Sequence, residues 1–150
     1  MTEPTVHACA VVIGEAGVLI RGKSGSGKSS LAFALVEGAR QRGLYATFVA
    51  DDRVVLHAVN GRVIARCPET ILGLAERWGR GIETVDCVPA AVIRLVADLV
   101  EPESLIRLPE TADMHTEVDG VSLPRQAIPA RKTSVSLPVL QALLAEMNKI

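Results

Sequence analysis

Apolar and polar positions along the chain fall into blocks whose spacing predicts both strands and helices. The runs at residues 6–13, 18–21 and 45–50 are short, apolar and rich in β-branched or aromatic residues, which predicts strands. Residues 28–42 repeat apolar positions at helical spacing, so they predict a helix between the second and third strands. Residues 14–17, Gly-Glu-Ala-Gly, predict a tight turn between the first two strands.

The middle of the chain predicts a hairpin followed by a long strand. Residues 54–59 and 62–66 flank Asn60-Gly61, the dipeptide most typical of a two-residue hairpin turn. The apolar run at 90–100 is long enough for either a helix or a strand, and its valines and isoleucine favour a strand. Residues 121–127 predict a last strand.

The remaining segments carry weaker patterns. Residues 68–81 predict irregular or briefly helical structure, and the polar, proline-containing segment 101–119 predicts a loop. Residues 138–148 predict an amphipathic C-terminal helix with Pro138 in its first turn. Because strands and helices do not alternate regularly, the expected fold is an α/β domain with a mixed sheet rather than a doubly wound parallel sheet.

Composition narrows the class of protein. The 150 residues are 49% apolar, which predicts one domain (1–150) with a substantial core, and only 3% aromatic, which predicts that this core is aliphatic. A formal charge of −1 argues against a nucleic-acid or membrane-surface binder. Cys9, Cys67 and Cys87 lie far apart without metal-ligand spacing. Cys9 and Cys67 lie in strand-like runs and predict buried, reduced thiols, so we expect a cytoplasmic protein.

One motif carries most of the functional signal. The pattern G-x-x-x-x-G-K-[ST] is matched, between a predicted strand and a predicted helix, by the stretch Gly22-Lys23-Ser24-Gly25-Ser26-Gly27-Lys28-Ser29. Glycines let such a loop curl so that backbone N–H groups point at one anion, and the helix N-terminus adds positive potential. We therefore expect this stretch and the adjoining Ser30 to bind the phosphate groups of a ligand. Lys28 would reach the outer phosphates, and the Ser29 hydroxyl would help to hold Mg²⁺.

Two aspartates follow the strand that is predicted after this helix. Asp51 and Asp52 come directly after the run 45–50, where proteins with such a loop place a Mg²⁺ ligand or a base. Successive side chains on a strand point in opposite directions, so we expect one of the two to face the phosphates. If the first two strands are antiparallel neighbours, His7 lies at one end of the pair, where it could modulate a nearby carboxylate.

Two other segments could each be either a binding site or a surface turn. Residues 73–82 place two arginines, a glutamate and the only tryptophan between glycines. That composition is typical of a flexible binding loop, but also of a turn in which Trp78 covers apolar surface. The basic cluster of Arg125 and residues 128–133 could clamp a phosphate or could be a solvated turn.

Together these residues resemble the catalytic domain of the bifunctional HPr kinase/phosphorylase family. The matching pieces, which span residues 7–132, are His7, the loop 22–29, Val49-Ala50-Asp51-Asp52-Arg53-Val54, Glu76 with Gly79-Arg80-Gly81-Ile82, and Ile128-Pro129-Ala130-Arg131. The resemblance implies a short form without the N-terminal domain of full-length members. It also implies a fold similar to the nucleotide-binding part of phosphoenolpyruvate carboxykinase.

The resemblance implies a reaction as well. Members of the family transfer the γ-phosphoryl group of ATP to a serine of a small phosphocarrier protein, and they remove it with inorganic phosphate to give pyrophosphate. The partner of this chain would be HPr or its nitrogen-system relative, and the protein would assemble as a hexamer. Mg²⁺ would be held by Ser29 and Glu76.

By the same likeness, five residues would carry the catalysis. Asp51 would be the base that takes the serine proton, and His7 and Asp52 would balance its basicity. Lys28 would neutralise charge developing on the phosphates, and Arg131 would contact phosphate or the partner.

Two other functions stay open. A small-molecule kinase would share the phosphate-binding loop, although the chain contains no arginine-rich lid segment. A nucleotide-sensing regulator that has lost its activity would need no base, so Asp51, Lys28 and Glu76 argue against it. A GTPase switch is not expected, because the chain has no N-K-x-D string.

Overall fold

The computed structural model describes residues 4–149 and contains ten strands and two helices in that range. The strands are β1 Val6–Ile13, β2 Ala16–Arg21, β3 Ala46–Ala50, β4 Arg53–Val59, β5 Arg62–Arg66, β6 Leu74–Arg77, β7 Gly81–Thr84, β8 Ala90–Val100, β9 His115–Val118 and β10 Val121–Pro129. The helices are α1 Lys28–Gln41 and α2 Thr133–Met147, and single 3-10 turns lie at Glu69–Ile71, Pro102–Ser104 and Thr111–Met114. Neither helix in residues 4–149 has the length and apolarity needed to span a bilayer.

Eight of the strands form one mixed sheet, so the predicted architecture is confirmed. β1 pairs with β2, β3 and β4, and the pairing continues from β4 through β5 and β8 to β2, where it returns to β1. The pairs of β8 with β2 and with β10 are parallel, and the other pairs in this sheet are antiparallel. β2 is therefore held between β1 and β8, which fixes the point from which the glycine-rich loop, residues 22–29, leaves the sheet. Because residues 16 and 17 already pair with β1, the turn predicted at 14–17 is confined to residues 14 and 15.

Side chains of the sheet alternate between two apolar cores, as the two-residue period of a strand requires. Cys9, Val11 and Ile13 of β1 pack on one side with the buried faces of α1 and α2. Ala8 and Ala10 belong to the other core, together with residues of β4, β5 and β8. The largest fully buried side chains are aliphatic, as the composition predicts. This packing fixes α1, and with it the loop that leads into α1, against β1.

Two segments without a predicted strand contain short strands. Residues 68–81 were expected to be irregular or briefly helical, but they hold a 3-10 turn and β6, which forms an antiparallel hairpin with β7. Gly79 and Gly81 adopt positive φ of 81° and 106°, so these glycines build the hairpin turn rather than interrupt structure. The expected loop 101–119 contains β9, which pairs with β10. Strands of four residues give too little alternation to be recognised from sequence.

The C-terminal helix begins earlier than predicted, at Thr133. Pro138 therefore lies inside the helix and not in its first turn, so the helix lacks one backbone hydrogen bond. Other groups hold the start of the helix: the N–H of Ser136 donates to Lys132 O at 3.0 Å, and Ser136 Oγ donates to Pro129 O at 3.1 Å.

Candidate active site

The glycine-rich loop, residues 22–29, joins β2 to α1 with backbone geometry that requires glycine. Gly27, at the start of α1, has a φ of 97°. At Gly22, a Cβ would lie 2.5 Å from Ser26 Oγ and 2.9 Å from Leu99 Cβ. No side chain caps the first turn of α1, so its N-terminal N–H groups have no side-chain acceptor. These N–H groups, together with the curled loop, form a cradle suited to an anion.

Lys28, the first residue of α1, folds back over the loop. The residue is buried, and Nζ donates to Gly22 O at 2.8 Å and to Lys23 O at 3.1 Å. These carbonyls hold the ammonium group at the loop instead of in solvent. By contrast, the residues Lys23 and Ser30 are exposed.

Asp51 lies directly beside this loop. It follows β3, is 6% exposed and accepts three hydrogen bonds. Ser29 Oγ donates to Oδ1 at 2.7 Å, and Cys9 Sγ donates to the same oxygen at 2.9 Å. The backbone N–H of Glu76 donates to Oδ2 at 2.7 Å. Of the two neighbouring aspartates, Asp51 is therefore the one that is joined to the loop.

Asp52 turns away toward solvent. Its φ of 76° bends the chain between β3 and β4, which both pair with β1. Its side chain is 59% exposed, and His7 Nδ1 lies 3.5 Å from Asp52 Oδ1. β1 and β2 are antiparallel neighbours, which is the arrangement that the hypothesis for His7 required.

A cavity of about 490 Å³ opens over both aspartates. It is lined by His7, Ser24, Ser29, Asp51, Asp52, Arg53, Ile71, Leu74, Ala75, Glu76 and Ile82. The volume is within the range of small-molecule sites. Six of the predicted site residues therefore meet in one cavity, which adjoins the glycine-rich loop through Ser24 and Ser29.

The oxygen atoms around this cavity are ligands that suit a hard divalent cation. The Ser29 hydroxyl and the carboxylates of Asp51 and Glu76 belong to residues that line it, and Mg²⁺ prefers oxygen ligands. Within residues 4–149, no three His, Cys, Asp or Glu side chains come together as a metal cage. A Mg²⁺ ion here would therefore take its other ligands from phosphate oxygens and water.

Arg131 contacts the loop through its backbone. Its N–H donates to Ser26 O at 2.8 Å, and its φ is 58°. The guanidinium group instead binds the Glu101 carboxylate, with Nη1 donating to Oε1 at 3.3 Å and Nη2 making a shorter contact with Oε2. The hydrogen bond from Arg131 holds the pKa of Glu101 below its usual range. Arg131 is not among the described residues that line the cavity.

A charged cluster fixes the strand that enters the loop. Arg21 Nε donates to Asp98 Oδ1 at 2.7 Å, and Arg125 Nε donates to Oδ2 at 2.5 Å. Burial acts to raise the pKa of Asp98, but the hydrogen bonds from both guanidinium groups outweigh it and hold that pKa below its usual range. Because Arg21 immediately precedes Gly22, this cluster positions the start of the loop. The Arg125 side chain thus stabilises the sheet by linking β10 to Asp98 of β8, and it does not act together with the basic segment 128–133.

The β6–β7 hairpin forms one wall of the cavity and is tied to α1. Arg77 Nε donates to Glu83 Oε2 at 2.5 Å, and Nη2 donates to Glu37 Oε2 at 3.3 Å. The guanidinium carbon of Arg77 lies 4.0 Å from the ring centroid of Phe33. Trp78, at the end of the hairpin, is 86% exposed, so the interpretation in which it covers apolar surface of its own chain is wrong.

Sequence reasoning missed three residues of this region. Cys9 lies two residues after His7, so the period of the strand could have placed both on the same side. Burial and the neighbouring Asp51 raise the pKa of the Cys9 thiol, which keeps it a hydrogen-bond donor. Arg53 lines the cavity and stands in the matching piece 49–54, without a role of its own in that match. Glu101 follows β8, and no spacing in the sequence points to its contact with Arg131.

Comparison with known protein families gives one consistent match. A family model described as the HPr serine kinase C-terminal domain matches residues 1–148. The HPr kinase/phosphorylase of Malacoplasma penetrans (strain HF-2) is 31% identical over 144 residues, which cover 87% of this chain and 46% of that protein. The HPr kinase/phosphorylase of Acidovorax sp. (strain JS42) is 37% identical over 111 residues, which cover 69% of this chain and 33% of that protein. The chain thus spans less than half the length of these curated relatives.

A solved structure has a similar fold. The Hpr(Ser) kinase/phosphatase from Coxiella burnetii matches with a TM-score of 0.75 at 29% sequence identity. The match covers 96% of this chain and 89% of that chain.

Proposed function

The chain belongs to the family of HPr serine kinase C-terminal domains, and from this premise we propose that it transfers the γ-phosphoryl group of ATP to a serine of a small phosphocarrier protein. One observation carries the proposal: the buried Asp51 accepts a hydrogen bond of 2.7 Å from Ser29 of the glycine-rich loop. A triphosphate bound to the loop would therefore lie beside a carboxylate that can accept a proton. The phosphocarrier would be HPr or its nitrogen-system relative.

We assign phosphate binding to the glycine-rich loop, as in the nucleotide-binding part of phosphoenolpyruvate carboxykinase. Backbone N–H groups at the start of α1 would bind phosphate oxygens. The ammonium group of Lys28, which donates to Gly22 O and Lys23 O, would turn to the outer phosphates. There it would stabilise negative charge that develops during transfer.

Asp51 would take the proton of the acceptor serine. One of its three hydrogen-bond donors must yield for this, and the Ser29 hydroxyl is suited to do so because it can rotate toward a metal. Mg²⁺, held by Ser29 and Glu76, supplies charge neutralisation at the phosphates when bound. The Cys9 thiol and the Glu76 N–H would keep the carboxylate oriented.

The reverse reaction would use the same carboxyl group. Protonated Asp51 would donate its proton to the leaving serine oxygen while inorganic phosphate attacks the phosphoryl group, which gives pyrophosphate. His7 and Asp52, 3.5 Å apart at the cavity, would balance the basicity of Asp51. Arg131 would leave Glu101 to contact phosphate or the partner.

The setting of this activity is also a proposal. Residues 1–150 would act as one catalytic domain, and six copies would assemble as in the family that the sequence resembles. The reaction would take place in the cytoplasm, in keeping with the free cysteines at positions 9, 67 and 87.

Intact-mass measurement tests the proposal. The purified chain is incubated with ATP, Mg²⁺ and either HPr or its nitrogen-system relative. We expect one carrier to gain one phosphoryl group and to lose it, with release of pyrophosphate, when inorganic phosphate is added. Phosphorylation of small metabolites without any carrier product would identify a small-molecule kinase instead, and ATP binding without any transfer would identify a regulator.

A further inference from the structure

The β6–β7 hairpin and the segment just before it carry exposed apolar side chains next to the candidate active site. The hairpin surface, as we call it, consists of Leu72, Leu74, Trp78 and Ile82, whose exposed fractions are 46%, 41%, 86% and 66%. Leu74 and Ile82 also line the cavity that contains Asp51. Large apolar side chains that are grouped and exposed in this way mark a surface that another molecule covers.

The hairpin is held in place from two sides. Arg77 binds Glu37 of α1 and Glu83 of β7 and lies over the ring of Phe33. On the other side, the Glu76 N–H donates to Asp51 Oδ2 at 2.7 Å. Because Glu76 and Arg77, next to the turn of the hairpin, fix it to Asp51 and to α1, its apolar surface is preformed and keeps a set position relative to that carboxylate.

We propose that the hairpin surface is the docking site of the protein that delivers the acceptor serine. This inference rests on the proposed function. The wall of the cavity and the docking surface are continuous through Leu74 and Ile82, so a serine that reaches Asp51 brings its flanking residues onto the hairpin. Trp78 would be the main anchor, because a large aromatic side chain buries much area at little entropic cost.

The exposed charge at the turn of the hairpin indicates which charge the partner should carry. Arg80 is exposed beside Trp78, whereas the acidic side chain of β7, Glu83, is already bound by Arg77. The exposed end of the hairpin therefore offers an apolar surface with a cation. The partner should present an apolar patch with a carboxylate next to its acceptor serine.

Fluorescence provides a direct test, because Trp78 is the only tryptophan of the chain. The full chain is titrated with a tryptophan-free phosphocarrier in the absence of nucleotide and Mg²⁺, so that no transfer takes place. We expect a saturable blue shift of the emission as Trp78 leaves water. An emission that stays unchanged with the carrier would overturn the proposal. A shift with ATP and Mg²⁺ alone, or with the concentration of the chain alone, would also overturn it, since Trp78 would then cover a nucleotide or a second copy.

Kinetics provide the second test. Trp78→Ala is expected to raise KM for the carrier about 10- to 30-fold but not KM for ATP. The matched control is Leu108→Ala, because Leu108 is 82% exposed but lies outside the hairpin, and its KM values should equal those of the wild type. Arg80→Glu should raise KM for the carrier most at low salt. An unchanged KM in Trp78→Ala would overturn the docking proposal. A wild-type chain that phosphorylates no carrier would instead refute the proposed function, while the fluorescence titration still decides whether the hairpin docks it.

Discussion

Replacing Asp51 by asparagine removes a buried charge without changing the volume of the side chain. Asp51 is 6% exposed and accepts hydrogen bonds from Ser29, Cys9 and the N–H of Glu76. These contacts use the Ser29 hydroxyl and leave Lys28 Nζ and the backbone N–H groups of the anion cradle untouched. We therefore predict that Asp51→Asn retains ATP binding and loses phosphoryl transfer.

The magnitude follows from the three hydrogen-bond partners. With its amide oxygen toward the Glu76 N–H, the asparagine directs its NH₂ group at Ser29 Oγ and Cys9 Sγ, and the serine hydroxyl can rotate to accept. Charge-assisted hydrogen bonds are then exchanged for neutral ones, which lowers the free energy of unfolding by about 1–2 kcal/mol. Loss of the general base slows transfer about 10²- to 10⁴-fold, which raises the activation free energy by about 3–5 kcal/mol.

Three measurements separate these effects. Calorimetry gives the affinity for ATP, urea unfolding gives the stability, and single-turnover intact-mass measurement gives the transfer rate. The matched control is Asp52→Asn, which removes a carboxylate from the adjacent, 59% exposed side chain and should slow transfer less than about tenfold. If Asp51→Asn phosphorylates its partner at the wild-type rate, Asp51 is not the base.

Three further substitutions test other parts of the account. Lys28→Ala should weaken ATP binding about 10- to 100-fold because it removes a charged hydrogen-bond donor from the loop, and an unchanged affinity by calorimetry would contradict the phosphate-binding assignment. Gly22→Ala places a Cβ 2.5 Å from Ser26 Oγ and 2.9 Å from Leu99 Cβ, and although the serine can rotate away, the leucine Cβ cannot. Urea unfolding should therefore show a free energy of unfolding lower by about 1–3 kcal/mol. A variant with wild-type stability would refute this packing. Asp98 has a lowered pKa in the folded state, so its contribution to stability is present above the ordinary carboxyl pKa and is lost as pH falls through the folded pKa. The stability difference between wild type and Asp98→Asn should accordingly shrink as urea unfolding is repeated from about pH 7 to about pH 2, and a constant difference would contradict the ion cluster.

Long or strongly patterned elements were predictable from the sequence, whereas short ones were not. The eleven residues of β8, Ala90–Val100, match the predicted run at both ends, because the long apolar run carries four β-branched residues, spread from Val92 to Val100, that favour a strand. The four-residue strands β6, β7 and β9 were missed, since glycines at the β6–β7 turn and polar side chains hide their period. The start of α2 is not accessible from sequence, because proline is typical of a first helical turn and Pro138 therefore predicts a later start. The hydrogen bond from Ser136 to Pro129 that holds the true first turn is a tertiary contact.

In the candidate site, too, local features were predictable from the sequence, whereas contacts between distant residues were not. The glycine-rich loop is a local motif, so its spacing alone indicated the backbone geometry now seen at Gly27. Contacts between distant residues were not accessible, because they depend on how strands pair. Cys9 meets Asp51 across 42 residues, and Arg131 meets Glu101 across 30 residues. Only the order of strands in the sheet brings these side chains together.

A crystal structure of the chain with Mg²⁺, a non-hydrolysable ATP analogue and the phosphocarrier would show whether Asp51 and the glycine-rich loop bring the acceptor serine and the triphosphate together. We predict that the γ-phosphate contacts Lys28 Nζ and that the acceptor serine Oγ lies about 3 Å from the Asp51 carboxylate. A triphosphate bound away from residues 22–29, or an acceptor hydroxyl held by another group while Asp51 keeps its bond to Ser29, would contradict this prediction.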